Sequence, residues 1–131
     1  MPAPVTLRAA TREELLAAAR GPLPDNTRGL AIVRGDQVLG VGGVAHVADY
    51  QLFLAFASLT DEARRHPVAV HKAGKRSLQI AREMGAEWVV SVANGSVPAA
   101  ARWLERLGYQ AAGADPLTGE QVYVQCLSSP S

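Results

Sequence analysis

Between residues 64 and 82 stand Arg64, Arg65, Lys72, Lys75, Arg76 and Arg82, with His66 and His71, and no acid interrupts them. A cluster of one sign can hold the phosphates of a ligand, a nucleic-acid backbone or an acidic partner, and it can equally be the solvated face of a helix. Inside it, Lys72-Ala-Gly-Lys-Arg-Ser77 ends like a phosphate-binding P-loop. The glycine required five residues before Gly74 is Ala69, however, and no strand directly precedes the segment, which excludes that motif. Groups able to carry a proton stand near the ends of apolar runs: His46, Asp49, Tyr50, Asp61 and Glu62. Such groups serve general acid and base chemistry, but each has an ordinary alternative. Asp49 suits a turn, Asp61 and Glu62 suit a helix entry, and His46 suits a partly buried strand. The one cysteine, Cys126, excludes an internal disulfide and a cysteine-based zinc site; within VYVQCL it is expected to be a packed strand thiol, and no metal is expected.

These residues must be positioned by a chain of 131 residues, 48% hydrophobic, which suits one domain over residues 1–127 with a short tail at 128–131. The formal charge of +1 gives no overall pull toward nucleic acid, so such a partner would depend on residues 64 to 82 alone. No run reaches the roughly 18 apolar residues of a membrane span, and MPAPVTLRAATREE lacks the order of a signal peptide. The expectation is a protein without a membrane partner that stays in the cell that makes it.

VTLRAA alternates like a strand, and TREELLAAAR follows as a helix with Thr11 and Glu14 at capping-box spacing. After the loop GPLPDNTRG, the runs LAIVR and QVLGVGGVAHV flank Gly35-Asp36, a hairpin signal that makes them antiparallel neighbours. A turn at Asp49-Tyr50 leads into QLFLAFASLT, apolar enough to predict a central strand buried on both faces. A helix is predicted from Pro67 to Met84 on the spacing of Val70, Leu78, Ala81 and Met84, closed by Gly85 and weakened locally by Gly74. EWVVSVA then predicts a buried strand. A further helix is capped by Ser96, carries Pro98 in its first turn, shows Ala100, Trp103, Leu104 and Leu107 on its apolar face, and stops at Gly108. Trp103 is its core anchor. Two short strands, Tyr109 to Ala112 and QVYVQCL, end the chain. Gly40, Gly42 and Gly43 within one strand imply a bend or a close approach by a ligand or a neighbouring subunit. The order β-α-β-β-β-α-β-α-β-β predicts an α/β fold with a mixed sheet flanked by helices, its fourth and fifth strands parallel.

That order, with the helix ending Arg102-Trp103-Leu104-x-Arg106-Leu107-Gly108-Tyr109, resembles the GNAT superfamily of acyl-CoA N-acyltransferases from about Leu52 to Tyr109. Within it the chain is most similar to the small GNAT-like proteins of tailed phages. The resemblance implies a central strand parted from its neighbour, whose end at Ser58, Leu59 and Thr60 meets the pantetheine arm of acetyl-CoA. It also implies a pyrophosphate loop of pattern R/Q-x-x-G-x-G/A, which falls on Arg65-His66-Pro67-Val68-Ala69-Val70, with Lys72 close by. Val68 and Val70 occupy the glycine positions and are expected to crowd the phosphates, and Pro67 removes a donor. The tyrosine acid of the family falls at Leu104, and its asparagine at Val97, with Asn94 three residues earlier. A base would be sought in His46 or Asp49, and a displaced acid in Tyr50. Val68, Val70 and Leu104 lead to the expectation of a non-catalytic virion-associated or assembly protein. It would contact other phage proteins and copies of itself, in the host cytoplasm or the phage particle. The alternatives are an N-acetyltransferase using acetyl-CoA and a nucleic-acid-binding module on residues 64 to 82.

Overall fold

The computed structural model describes residues 4–19, 23–47, 52–93 and 98–127. The elements are β1 (Val5–Ala9), α1 (Arg12–Ala18), β2 (Arg28–Arg34), β3 (Gln37–Val47), β4 (Leu52–Leu59), a 3-10 turn (Ala63–Arg65), α2 (Pro67–Glu83), β5 (Trp88–Ala93), α3 (Pro98–Arg106), β6 (Gln110–Ala114) and β7 (Gln121–Cys126). One seven-stranded sheet has the order β1-β2-β3-β4-β5-β7-β6. Every neighbouring pair is antiparallel except β4 and β5, which α2 joins by a crossover. The predicted mixed α/β architecture is the one observed.

α1 starts where its capping box dictates. Thr11 Oγ1 accepts from Glu14 N at 3.1 Å, and Glu14 Oε1 accepts from Thr11 N at 2.9 Å. Arg8 adds two 2.7 Å bonds to the two oxygens of Glu14, and this guanidinium, followed by the Thr11 amide, holds the carboxyl down at about 2. Leu15 drops onto β2 and β3, where a Cβ on Gly43 would come within 2.9 Å of both Leu15 Cδ2 and Phe56 Cζ. At Gly40 and Gly43 the close approach predicted from the β3 glycines is thus made by side chains of this same chain, Leu59 at the first and Leu15 and Phe56 at the second. A bulge between Ile32 and Val33 shifts the β2–β3 register beside Gly40.

The helices divide the faces of the sheet unequally. α1, seven residues long, covers a small cluster of Leu15, Ala31, Val33 and Val41. α2 and α3 cover the other face with two clusters that meet at Trp103. This inequality corrects two expectations, that β4 is buried on both faces and that β5 is a buried strand. No residue of β4 is fully buried although the strand is fourth of seven. On β5, Val89 and Ser91 are buried under the helices while Trp88 is 55% exposed on the side that α1 is too short to reach. Cys126 pairs with Trp88 across the β5–β7 ladder and is exposed with it, not packed.

Gly74, which weakens the helix prediction, is the point where α2 and α3 touch. A Cβ there would stand 2.6 Å from Leu107 Cδ1 and 3.0 Å from Trp103 Cζ2. The intrinsic cost of a helical glycine, about 1 kcal/mol, is offset by packing two large side chains against the bare backbone. Trp103 is therefore the anchor its spacing predicts.

Candidate functional site

β4 and β5 pair only at Leu54–Val90 and Ala55–Ser91. Beyond Ser91, β5 stays with β7 through Val92–Val122 and Ala93–Gln121, while β4 runs on to Leu59 against β3. From Phe56 to Leu59 the β5 side of β4 therefore has no strand partner among the described residues. Backbone donors and acceptors left open along such an edge call for a partner.

The edge leads to the N-terminus of α2. Thr60 shapes the connection: its N and Oγ1 both donate to Leu39 O, at 3.0 and 2.7 Å, and Oγ1 accepts from Ala63 N at 3.1 Å. Its hydroxyl is thereby committed to the chain itself. At the helix start His66 makes no side-chain cap, Pro67 has no N–H, and Val70 N reaches His66 O at 3.1 Å. The N–H groups of Val68 and Ala69 are left at the positive end of a 17-residue helix with no acid in its first turn. That combination suits an anion.

The two valines do not act alike. Val70 is buried with Ile32, Leu39 and Ala63, so it leaves the helix end uncrowded, contrary to expectation. Val68 is 68% exposed beside the open N–H groups. Ser58, Arg65 and Lys72 are exposed near this end, and Leu59 is half-buried against the Ile32 cluster. The basic cluster is partly neutralised from its flanks: Arg64 lies 3.4 Å from Asp61, Arg65 3.5 Å from Glu62, and Arg76 3.3 Å from Glu83. His71, Lys72, Lys75 and Arg82 make no ion pair among the described residues.

Of the proton carriers, Glu62 is bonded by Arg34 at 2.8 Å, which holds its carboxyl below the usual range and makes it a poor base. Asp61 is fully out in solvent. His46 stacks on Phe53 with centroids 4.2 Å apart, and its Nδ1 lies 3.1 Å from Asn26 Nδ2. It pairs with Phe53, two residues before the last β4–β5 rung, at the closed end of the split. Asp49, Tyr50, Asn94, Ser96 and Val97 lie outside the described residues. Leu104, at the position of the family tyrosine, is buried in the core.

Below the split is a narrow cleft of about 60 Å³ between the sheet, α2 and α3. Its floor includes Gly42, Ala55 and Ala57, and its helical wall Ala73 and Gly74. Its polar side chains are Ser77, Ser91, Trp103 and Tyr109. Ser77 Oγ is spent on Ala73 O at 2.9 Å. Burial pushes the Tyr109 phenol up, so it stays protonated. Among the described residues Trp103 Nε1 is buried without a hydrogen-bond partner. Ser91 and this indole N–H were not legible as site groups: the one polar residue in WVVSVA was the only signal for the first, and a tryptophan at core spacing conceals the second.

A larger concavity, about 250 Å³, opens beyond the other end of the sheet, by Arg12, Arg28 and Arg76. Its charges are already matched, Arg28 and Arg76 by Glu83 at 3.2 and 3.3 Å and Arg12 by the carbonyls of Leu23 and Pro24. The smaller cleft, with its unmatched groups, is the better candidate. Among the described residues no group of three His, Cys, Asp or Glu is placed to hold a metal, and no helix is long and apolar enough to cross a membrane.

No protein-family model matches this sequence, and no curated protein matches it. Solved structures do match. An N-acetyltransferase from Staphylococcus aureus Mu50 has a TM-score of 0.77 at 15% identity, over 96% of this chain and 100% of that one. An acetyltransferase of the GNAT family from the same organism gives 0.73 at 10% identity, over 95% and 100%. YncA from Salmonella typhimurium, solved with its cofactor acetyl-CoA, gives 0.76 at 12% identity, over 98% and 97%. With its parallel β4–β5 pair opening beside an uncapped α2, the chain has the fold of the GNAT acyl-CoA N-acyltransferases.

Proposed function

We propose that this protein is an acetyl-CoA-dependent N-acetyltransferase whose donor occupies the split between β4 and β5. The observation that carries it is the unpartnered edge of β4 from Phe56 to Leu59, leading straight to the open N–H groups of Val68 and Ala69. The residues present fit the group. The edge offers backbone partners to a pantetheine arm, the first turn of α2 carries no acid, and Lys72 and Lys75 supply a positive field. Pro67 removes one donor, which predicts weaker phosphate binding than a helix start with all its N–H groups. When bound, acetyl-CoA supplies an activated acetyl thioester. The acceptor nitrogen then forms the new C–N bond as the C–S bond breaks. The amine gives up one proton on acylation and the departing thiolate takes one up, so the proton would pass between them through water, since Leu104 has none to give and the buried Tyr109 phenol, its pKa raised, is a poor acid. No carboxylate lines the cleft among the described residues, so the amine must arrive deprotonated and the rate should rise with pH up to the acceptor's own pKa.

A second function is favoured by Leu104 and the Arg102-to-Tyr109 ending: a non-catalytic virion-associated or assembly protein of a phage, in contact with other phage proteins and with copies of itself. Calorimetric titration with acetyl-CoA, followed by a thiol-release assay over a panel of amines, separates the two. A dissociation constant in the micromolar range, about 8 kcal/mol, with thiol release supports the transferase. Absence of heat up to millimolar ligand overturns it and turns the search to protein partners.

A further inference from the structure

Trp103 rests its ring on Gly74 and joins the two clusters under α2, yet its Nε1 is buried with no acceptor among the described residues. An N–H that leaves water without gaining a partner weakens a fold, so a ring needed only for packing would be better without it. The same indole lines the cleft below the split, where the walls are mostly glycine, alanine and leucine and Ser77 is already bonded within its helix. An indole N–H donates and cannot accept, so the group it awaits is an acceptor. We propose that Trp103 is a ligand-positioning residue whose N–H donates to a carbonyl oxygen of the acyl-pantetheine arm. This rests on the acyl-CoA function above.

The chemistry of the match is simple. Thioester and amide carbonyls are acceptors that an apolar cleft can admit only if a donor waits inside it, because stripping the oxygen of water is otherwise unfavourable. No bond forms or breaks at the indole; it would orient the arm within the cleft that Ser91, at the last β4–β5 rung, also lines.

Trp103→Phe keeps most of the ring and removes the donor. Wild type and variant are titrated calorimetrically with coenzyme A and with acetyl-CoA, and the ligand-free proteins are melted alongside. The variant should melt within a few degrees of wild type and bind roughly tenfold more weakly, the worth of one neutral hydrogen bond. A loss confined to acetyl-CoA assigns the bond to the thioester carbonyl, and an equal loss for both ligands assigns it to an amide of the arm. Unchanged affinity for both overturns the role while leaving the acyl-CoA function standing. If wild type binds neither ligand, that function itself falls, and this inference with it. Should the variant melt far below wild type, a second measurement decides. The protein has two tryptophans, and Trp88→Phe leaves Trp103 as the only indole. Its emission should shift as acetyl-CoA saturates, and a constant spectrum overturns the role.

Discussion

The N-terminus of α1 is closed by two side chains, Thr11 and Glu14, the second held in place by Arg8, whereas among the described residues no side chain closes that of α2. Both helices begin beside the end of a strand, and both present the same positive backbone pole. In α1 the orphan donors are satisfied by the sequence itself, which serves stability. In α2 a proline takes the first position, no acid follows, and the cations nearby leave the pole positive. A helix start left unfinished next to an unpaired strand edge is what the proposed acetyl-CoA site rests on.

The sharpest way to break this contrast is to finish the second start. Val68→Asp places a carboxylate in the first turn of α2. It should leave the melting temperature unchanged or slightly higher, because an acid there favours the helix by roughly 0.3 to 1 kcal/mol. Acetyl-CoA affinity should fall tenfold or more, since like charges about 6 Å apart repel by about 1 to 3 kcal/mol. Calorimetry beside a thermal melt shows whether the two effects part in this way. Undoing the first start should do the reverse. Thr11→Ala should lower stability in denaturant by about 1 kcal/mol and leave ligand affinity alone.

A third effect shows in the dependence of stability on pH. The Glu14 carboxyl is held at about 2 against an ordinary 4.5, so its folded pKa is depressed and its contribution is complete above about 4.5. That contribution is lost as pH falls from there toward 2. Glu14→Gln should flatten this part of the curve of melting temperature against pH while lowering stability at neutral pH. The smallest effect is expected for Lys72→Ala, a few-fold loss of acetyl-CoA affinity that shrinks further in salt, as befits an exposed charge.

Much of the fold is legible because its punctuation is local. The capping box, Gly35-Asp36, Gly85 and Gly108 each act within a few residues, and φ values of 60°, 94° and 99° at the three glycines are what their neighbours require. What is not legible depends on phase and coverage. An apolar strand such as β4 looks the same whether both faces are buried or one lies beyond a short helix. Val68 and Val70 look equally obstructive until the helix phase from Pro67 sends one outward and the other into the core. Cys126 goes outward by the same logic, one alternation from the buried Leu127. The parting of β4 from β5 is set by what β7 holds, which no local pattern records.

Backbone amide exchange with and without acetyl-CoA tests the central claim most directly. Saturating ligand should slow exchange within Phe56 to Leu59 and at Val68 and Ala69, and leave the capped start of α1 unchanged. Unaltered exchange at those amides, or slowing spread evenly over the chain, would contradict a site built from the open edge of β4 and the unfinished start of α2.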